Sequence, residues 1–199
     1  MDKGNGSMSD IAADAFIHET AVVDAGAKIG QGTKVWHFAH ILGGTSVGDN
    51  CSIGQNVMVG PDVVIGHGCK LQNNVAVYKG VTLDDDVFCG PSMVFTNVLT
   101  PRAHVERKDE FAPTHIGKGA TLGANCTIVC GHNVGAFAMV GAGAVVTKNV
   151  PAYALVVGNP ARQISWVSEA GERLKDDLIC PRDGSRYIIS NDKLKIIKS

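Results

Sequence analysis

The sequence predicts an all-β fold: a solenoid of short parallel strands wound as a three-sided coil, with one inserted loop at about 100–114 and a short C-terminal helix plus hairpin. Three observations predict it. A large apolar residue recurs at every sixth position along most of the chain. Glycine is abundant, at 24 residues of 199, while aromatics make up only 6%. The recurrence is interrupted once, by a charged segment, and then resumes.

Residues 1–14 read as a disordered leader or tag. The start, MDKGNGSMSD, is polar and has no apolar signal core, and Met8 is a second candidate start. From Phe16 the chain divides into sixes: FIHETA, VVDAGA, KIGQGT, KVWHFA and onward to VFTNVL. The second slot holds Ile17, Val23, Ile29, Val35, Ile41, Val47, Ile53, Val59, Ile65, Leu71, Val77, Leu83, Cys89 and Phe95. The sixth slot holds Ala, Thr, Cys or Val, then Met93 and Leu99. Residues 100–114 break the frame. It resumes at His115 with HIGKGA, TLGANC, TIVCGH, NVGAFA, MVGAGA and VVTKNV.

A period of six is too long for a pleat, whose side chains alternate every two residues. It suits a short strand, a tight corner and another strand. The second-slot residue points inward and the small sixth-slot residue lets the chain turn. Glycine after the aliphatic answers a need for unusual dihedrals or close backbone approach. Three hexads, 18 residues, then make one turn, and stacked turns bury each other's apolar faces. The coil is expected over 15–164 and a tail over 165–199. In the tail, SWVSEAGERLKDDL (165–178) has helical charge spacing. CPRDGSRYIISNDKLKII reads as a hairpin with Asp183-Gly184 at its turn.

Composition excludes some classes. The net charge of −1 and pI of about 6.6 give no pull toward nucleic acid or an anionic membrane, and no apolar run has the length of a membrane span. Cys51, Cys69 and Cys126 fill sixth slots and Cys89 a second slot, as small apolar wedges. Nothing points to disulfides or a nucleophile, so a reducing cytoplasm is expected. Cys180 alone, with Asp183 where a second thiol would stand, makes no zinc ribbon. His37 and His40 form H-x-x-H but fall on different faces of the coil, without an acidic or thiol partner at ligand spacing, so no metal is expected.

The hexads, the terminal stretch VPAYALVVGNPARQI (150–164) and the string from Gly68 to Arg107, QNNV, VYKGV, DDDVFCGPS, FTN and PRA within it, carry a resemblance. The chain resembles the hexapeptide-repeat acyltransferases, and within them the enzymes that acetylate the 3-amino group of UDP-2-acetamido-3-amino-2,3-dideoxy-glucuronate for bacterial surface polysaccharide. Residues 16–166 carry it. The resemblance implies a left-handed parallel β-helix, acetyl-CoA as cosubstrate, and a homotrimer with sites between subunits. Related branches acetylate other 3- or 4-amino sugars on dTDP or UDP. Zinc-dependent carbonic anhydrases also share the fold, and a bare scaffold rod is the non-catalytic alternative.

Sorting hexads by threes puts Asn97 on a corner between Lys79 and Cys130, just before the insertion. Asn97 is the candidate catalytic residue: its amide accepts an N–H of the sugar amine and aims the lone pair. Such an amine titrates near the α-amino range of about 7.7–8.0, so a fraction is neutral without a base, and the departing thiolate collects the proton. No histidine is well placed as a base. Arg102 and Arg107, on the inserted loop, are candidates for the uronate. Gln72, Asn73 and Asn74 are candidates for uracil or ribose, with Lys79 alongside and Trp36 or Phe38 as stacking surfaces. Gly141, Ala142 and Gly143 admit pantetheine closely, Cys130 borders that channel, and Lys148 meets the CoA phosphates as a point charge.

Overall fold

A computed structural model describes residues 9–197; most of the leader, including Met8, lies outside the described residues. The coil is the expected three-sided solenoid of parallel strands. Face 1 stacks Asp10–Ile11, Lys28–Ile29, Ser46–Val47, Val64–Ile65, Val81–Leu83 and Thr114–Ile116. Face 2 stacks Phe16–Ile17, Lys34–Val35, Ser52–Ile53, Lys70–Leu71, Phe88–Cys89, Thr121–Leu122, Met139–Val140 and Ala154–Val157. Face 3 stacks Val22–Val23, His40–Ile41, Met58–Gly60, Ala76–Tyr78, Val94–Phe95, Thr127–Ile128 and Val145–Val146. The first strand, Asp10–Ile11, pairs in register with Lys28–Ile29. The coil therefore starts before residue 15, because Asp10 and Ile11 continue the hexad frame.

Partners on neighbouring turns are 18 residues apart, as in Lys34↔Ser52, until the last turn, where Val140↔Val156 shortens the step to 16. Across the insertion the step is 33, as in Leu83↔Ile116, so 33 − 18 leaves 15 extra residues. The ladder on either side stays in register, which confines the insertion to one corner. The second-slot residues form one continuous core, with Ile41, Ile53, Leu71, Phe95 and Ile128 each at most 1% exposed. Each such side chain contributes about 1.5–3 kcal/mol relative to exposure.

The corners explain the glycine pattern. Those after the aliphatic serve close approach: a Cβ on Gly48 would sit 2.7 Å from the Gly66 carbonyl of the next turn. The left-handed residue is instead the fifth slot, as in Gly44 at φ 74 and Asn56 at φ 56. Phe38 and Phe137 take the same conformation, at φ 56 and 57, without a glycine's freedom. Phe137 stacks on Tyr153 with centroids 5.3 Å apart, whereas Phe38 leaves 59% of its surface exposed.

The expected helix over 165–178 does not form. Arg162–Trp166 folds back antiparallel on Ala154–Val157, so the open sheet edge captures the backbone that the helix would have used. Gly171 at φ 81 interrupts the rest, and glycine costs a helix interior about 1 kcal/mol. The segment's apolar residues close a second small core instead, with Leu174, Cys180, Tyr187 and Leu194 buried beside Trp166. The hairpin is present as Arg186–Ser190 and Lys193–Ile197. Its turn is Asn191-Asp192, both left-handed at φ 51 and 56, as a two-residue turn of the favoured twist requires. Asp183-Gly184 closes a separate loop, in which the Gly184 N–H donates to the Cys180 carbonyl at 2.9 Å. No helix among the described residues is long and apolar enough to cross a membrane.

Candidate functional site

The coil sorts the candidate residues onto two of its three corners. The corner between faces 2 and 3 carries Trp36, Phe38, Gln72, Asn73, Asn74, Gly141, Ala142 and Gly143. The corner between faces 3 and 1 carries Lys79, Asn97, the inserted loop, Cys130 and Lys148. The pairings Ala76↔Val94 and Val94↔Thr127 put Lys79, Asn97 and Cys130 in step, three residues on. Six residues of chain separate the corners, at most about 20 Å.

On the first corner, Trp36, His37, Ser52, Gly54, Gln55, Gln72 and Asn73 line a groove of about 270 Å³. Trp36 tilts against Phe16 with ring centroids 5.3 Å apart, and His37 stacks on His18 at 3.5 Å. The amides divide. Asn73 Oδ1 accepts the Gln55 N–H at 3.0 Å and Asn74 Oδ1 accepts from Asn56 Nδ2 at 3.1 Å. These two knit successive turns together, so their acceptors are already used. Gln72 has no such role among the described hydrogen bonds. At the far end, Gly143 is left-handed at φ 69 with nothing within 4 Å of an added Cβ, and Ala142 is exposed.

On the second corner Asn97 is half-buried, and its carbonyl accepts the Ala112 N–H at 3.0 Å. Its side-chain amide has no hydrogen bond among the described residues, and its backbone is not left-handed. A turn asparagine normally does one of those two jobs. The neighbouring cations are largely taken. Lys79 Nζ lies 2.8 Å from Asp62, Arg107 Nη1 is 2.7 Å from Glu110, and Lys108 is 2.9 Å from Glu106. Arg102 is exposed, and among the described residues its guanidinium bonds only the Pro101 carbonyl, at 3.1 Å.

Cys130 is corrected by its burial. It is 0% exposed, and its N–H already donates to Thr96 Oγ1 at 2.9 Å. Its side chain is a corner wedge and cannot line a cofactor channel. Burial pushes the Cys126 thiol up to about 12 and raises Cys89 further, so neither of these two supplies a thiolate near neutral pH. Lys148 lines a pocket of about 240 Å³ with Thr147, Asn149, Arg162 and Gln163. Arg162 escaped the sequence reading, although it stands within the quoted stretch VPAYALVVGNPARQI. Neither cation has a carboxylate partner among the described residues.

Three of the seven histidines pair with carboxylates on outer surfaces: His40 with Asp24 at 3.1 Å, His67 with Asp49 at 3.2 Å and His115 with Asp84 at 2.9 Å. The Asp24 rung lies four turns from that of Asn97, roughly 19 Å. No group of three or more metal-ligating side chains converges among the described residues.

Known proteins match this chain in sequence and fold. The "bacterial transferase hexapeptide (six repeats)" model fits residues 26–61 and 50–85, and the "hexapeptide repeat of succinyl-transferase" model fits 113–148. The chain is 41% identical over 182 residues to the dTDP-3-amino-3,6-dideoxy-alpha-D-galactopyranose 3-N-acetyltransferase of Aneurinibacillus thermoaerophilus, covering 90% of this chain and 94% of that one. Among solved structures, the hexapeptide-repeat-containing acetyltransferase VCA0836 of Vibrio cholerae, complexed with acetyl coenzyme A, matches with a TM-score of 0.53 at 26% identity, over 63% of this chain and 72% of that one. The polySia-specific acetyltransferase NeuO shares the fold, with a TM-score of 0.57 at 18% identity, over 79% and 80%. An 18-residue register held by inward aliphatics, broken by one corner insertion and shortened to 16 at the last turn, together with a 41% identical relative matched over 94% of its length, places this chain in the hexapeptide-repeat acyltransferase family.

Proposed function

We propose that this chain transfers the acetyl group of acetyl-CoA to the amino group of a nucleotide-linked amino sugar, with UDP-2-acetamido-3-amino-2,3-dideoxy-glucuronate, a surface-polysaccharide precursor, as its substrate. One observation carries the reading: the coil is interrupted by an insertion at one corner, and there stands an asparagine, Asn97, whose side-chain amide has no hydrogen-bond partner among the described residues. The name of the 41% identical relative, a 3-N-acetyltransferase of a dTDP-linked sugar, supports the class of reaction.

In this reading the neutral amine attacks the thioester carbonyl, with the Asn97 carbonyl oxygen accepting one amine N–H. The C–N bond forms, the tetrahedral intermediate expels the CoA thiolate, and the proton of the new ammonium passes to that sulfur. Holding amine and thioester in line supplies most of the acceleration. Lys148 and Arg162 are the cations for the CoA phosphates. The groove at Trp36 and Gln72 suits the base of the nucleotide.

The two corners flank face 3, on which Val22 and Val94 stand 52% and 46% exposed. A neighbouring copy on that face covers them and brings one chain's Asn97 corner to another's Trp36 corner, as a homotrimer does three times. All six cysteines are free thiols and buried, which suits a reducing cytoplasm.

A second reading, a neutral 3-amino-3,6-dideoxy sugar on dTDP, is favoured by the relative's printed substrate and by the paired charges of the loop. The test is thiol release from acetyl-CoA with a panel of UDP- and dTDP-linked 3- and 4-amino sugars. The highest kcat/KM is expected for the UDP-linked 3-amino uronate. A faster neutral dTDP sugar would replace the uronate reading, and no acetylation of any member would remove the activity itself.

A further inference from the structure

The inserted loop is built around one pair. Arg107 is its most enclosed cation, with 27% of the side chain exposed against 80% for Lys108. Its Nη1 lies 2.7 Å from Glu110 Oε2, and its carbonyl accepts the Glu110 N–H at 3.0 Å. Side chain and backbone thus close the same four residues twice. Two residues later the Ala112 N–H donates to the Asn97 carbonyl at 3.0 Å, and the Thr114 N–H donates to Gly80 at 2.9 Å as the coil resumes. The pair therefore stands one short span from the backbone of the residue that aims the amine. Arg107 Nε is buried without an acceptor, so the guanidinium is held by Glu110 alone among the described residues.

We propose that Glu110 is a positioning residue for the nucleotide sugar, acting through Arg107 to fix the loop over Asn97. The proposal rests on the nucleotide-sugar reading above. It gives Arg107 a different task from the one its sequence position suggests: the guanidinium braces the loop through Glu110, and the exposed Arg102 is the loop cation left for a sugar carboxylate. A lone surface ion pair contributes little. This one acts by choosing a loop geometry, so its effect falls on substrate binding and not on the stability of the coil.

The test is steady-state kinetics of the full chain with the best amino sugar of the panel. Glu110→Ala is expected to raise KM for the nucleotide sugar about tenfold, the effect of one hydrogen bond to a charged group. KM for acetyl-CoA should be unchanged and kcat nearly so. Glu110→Gln, which keeps an acceptor without the charge, should raise it about threefold. The reversed pair, Arg107→Glu with Glu110→Arg, should return KM to within about threefold of wild type. A wild-type KM in Glu110→Ala overturns the proposal. So does a reversed pair as poor as Arg107→Ala, which would make the guanidinium itself the sugar's contact. Wild-type inactivity toward every sugar would instead overturn the parent reading, so the two failures are distinct.

Discussion

Removing the Asn97 side chain separates its two possible jobs. In the structure Asn97 holds the loop through its backbone carbonyl, bonded to Ala112 at 3.0 Å, and alanine keeps that bond. Its side chain makes no hydrogen bond among the described residues, and its φ is not positive. Asn97→Ala should therefore change stability by no more than about 0.5 kcal/mol, as surface substitutions usually do. At about 2–4 °C per kcal/mol for a chain of this size, the melting temperature should move by less than about 2 °C. The amine loses one neutral hydrogen bond, worth about 0.5–1.5 kcal/mol, so kcat/KM should fall between about twofold and about twelvefold. Slippage of the amine would enlarge the loss. The assay is thiol release under varied amino sugar, with thermal melts on the same sample. An unchanged kcat/KM would end the orienting role. A melting point lowered by more than about 5 °C would show that Asn97 serves the corner, since a structural asparagine would cost several times the expected shift.

Further outcomes test other parts of the site. Ala142→Trp should raise the Kd for acetyl-CoA at least tenfold and leave the melting point in place, because Ala142 is exposed; calorimetry with unchanged affinity would move the channel. Gly141 is a poorer probe, since its Cβ would meet Val157 Cγ1 at 2.7 Å. Phe95→Ala, in a fully enclosed second slot, should cost about 3–5 kcal/mol in denaturant unfolding; less than about 1 kcal/mol would mean the core collapses around the gap. The profile of kcat/KM against pH should show one rising limb at the pKa of the substrate amine. His104→Asn, His115→Asn and His132→Asn should each lose less than Asn97→Ala, and a thousandfold loss in any folded one would identify a base. Burial, and then the hydrogen bond to Glu169, raise the Tyr153 phenol above its ordinary value. Stability from the neutral phenol is full below about 10 and is lost as pH rises through the folded value. Tyr153→Phe should remove that part of the alkaline loss in melts, and an identical alkaline limb in both proteins would rule it out.

The hexad pattern was legible because it is a local rule repeated. Each second-slot aliphatic meets only its own kind one turn away, so Ile41, Val59 and Val77 announce the core without knowledge of the rest of the chain. The place of the insertion was legible for the same reason: only a break at one corner lets the frame return at the same slot. The tail was not legible. The charges of 165–178 fit a helix, but the backbone of Ile164–Trp166 answers to the open edge left by Ala154–Val157, which exists only once the coil has ended there. The hairpin's turn moved from Asp183-Gly184 to Asn191-Asp192 because both pairs tolerate left-handed backbone, and only the packing of Tyr187 and Leu194 against Leu174 chooses between them.

By itself the sequence determined the coil, its three faces and the corner on which Asn97 stands, since periodicity converts directly into register. The tertiary structure alone decided which polar side chains remain free. Asn73 and Asn74 are taken by Gln55 and Asn56, Lys79 by Asp62, Arg107 by Glu110, and Cys130 by the interior, while the amides of Asn97 and Gln72 are left over among the described residues. The physical reason is that each of these hydrogen bonds and ion pairs joins residues 3 to 18 positions apart and is fixed by distances of about 3 Å. A six-residue pattern of apolar slots places the backbone but does not specify the partners of the side chains that point away from it.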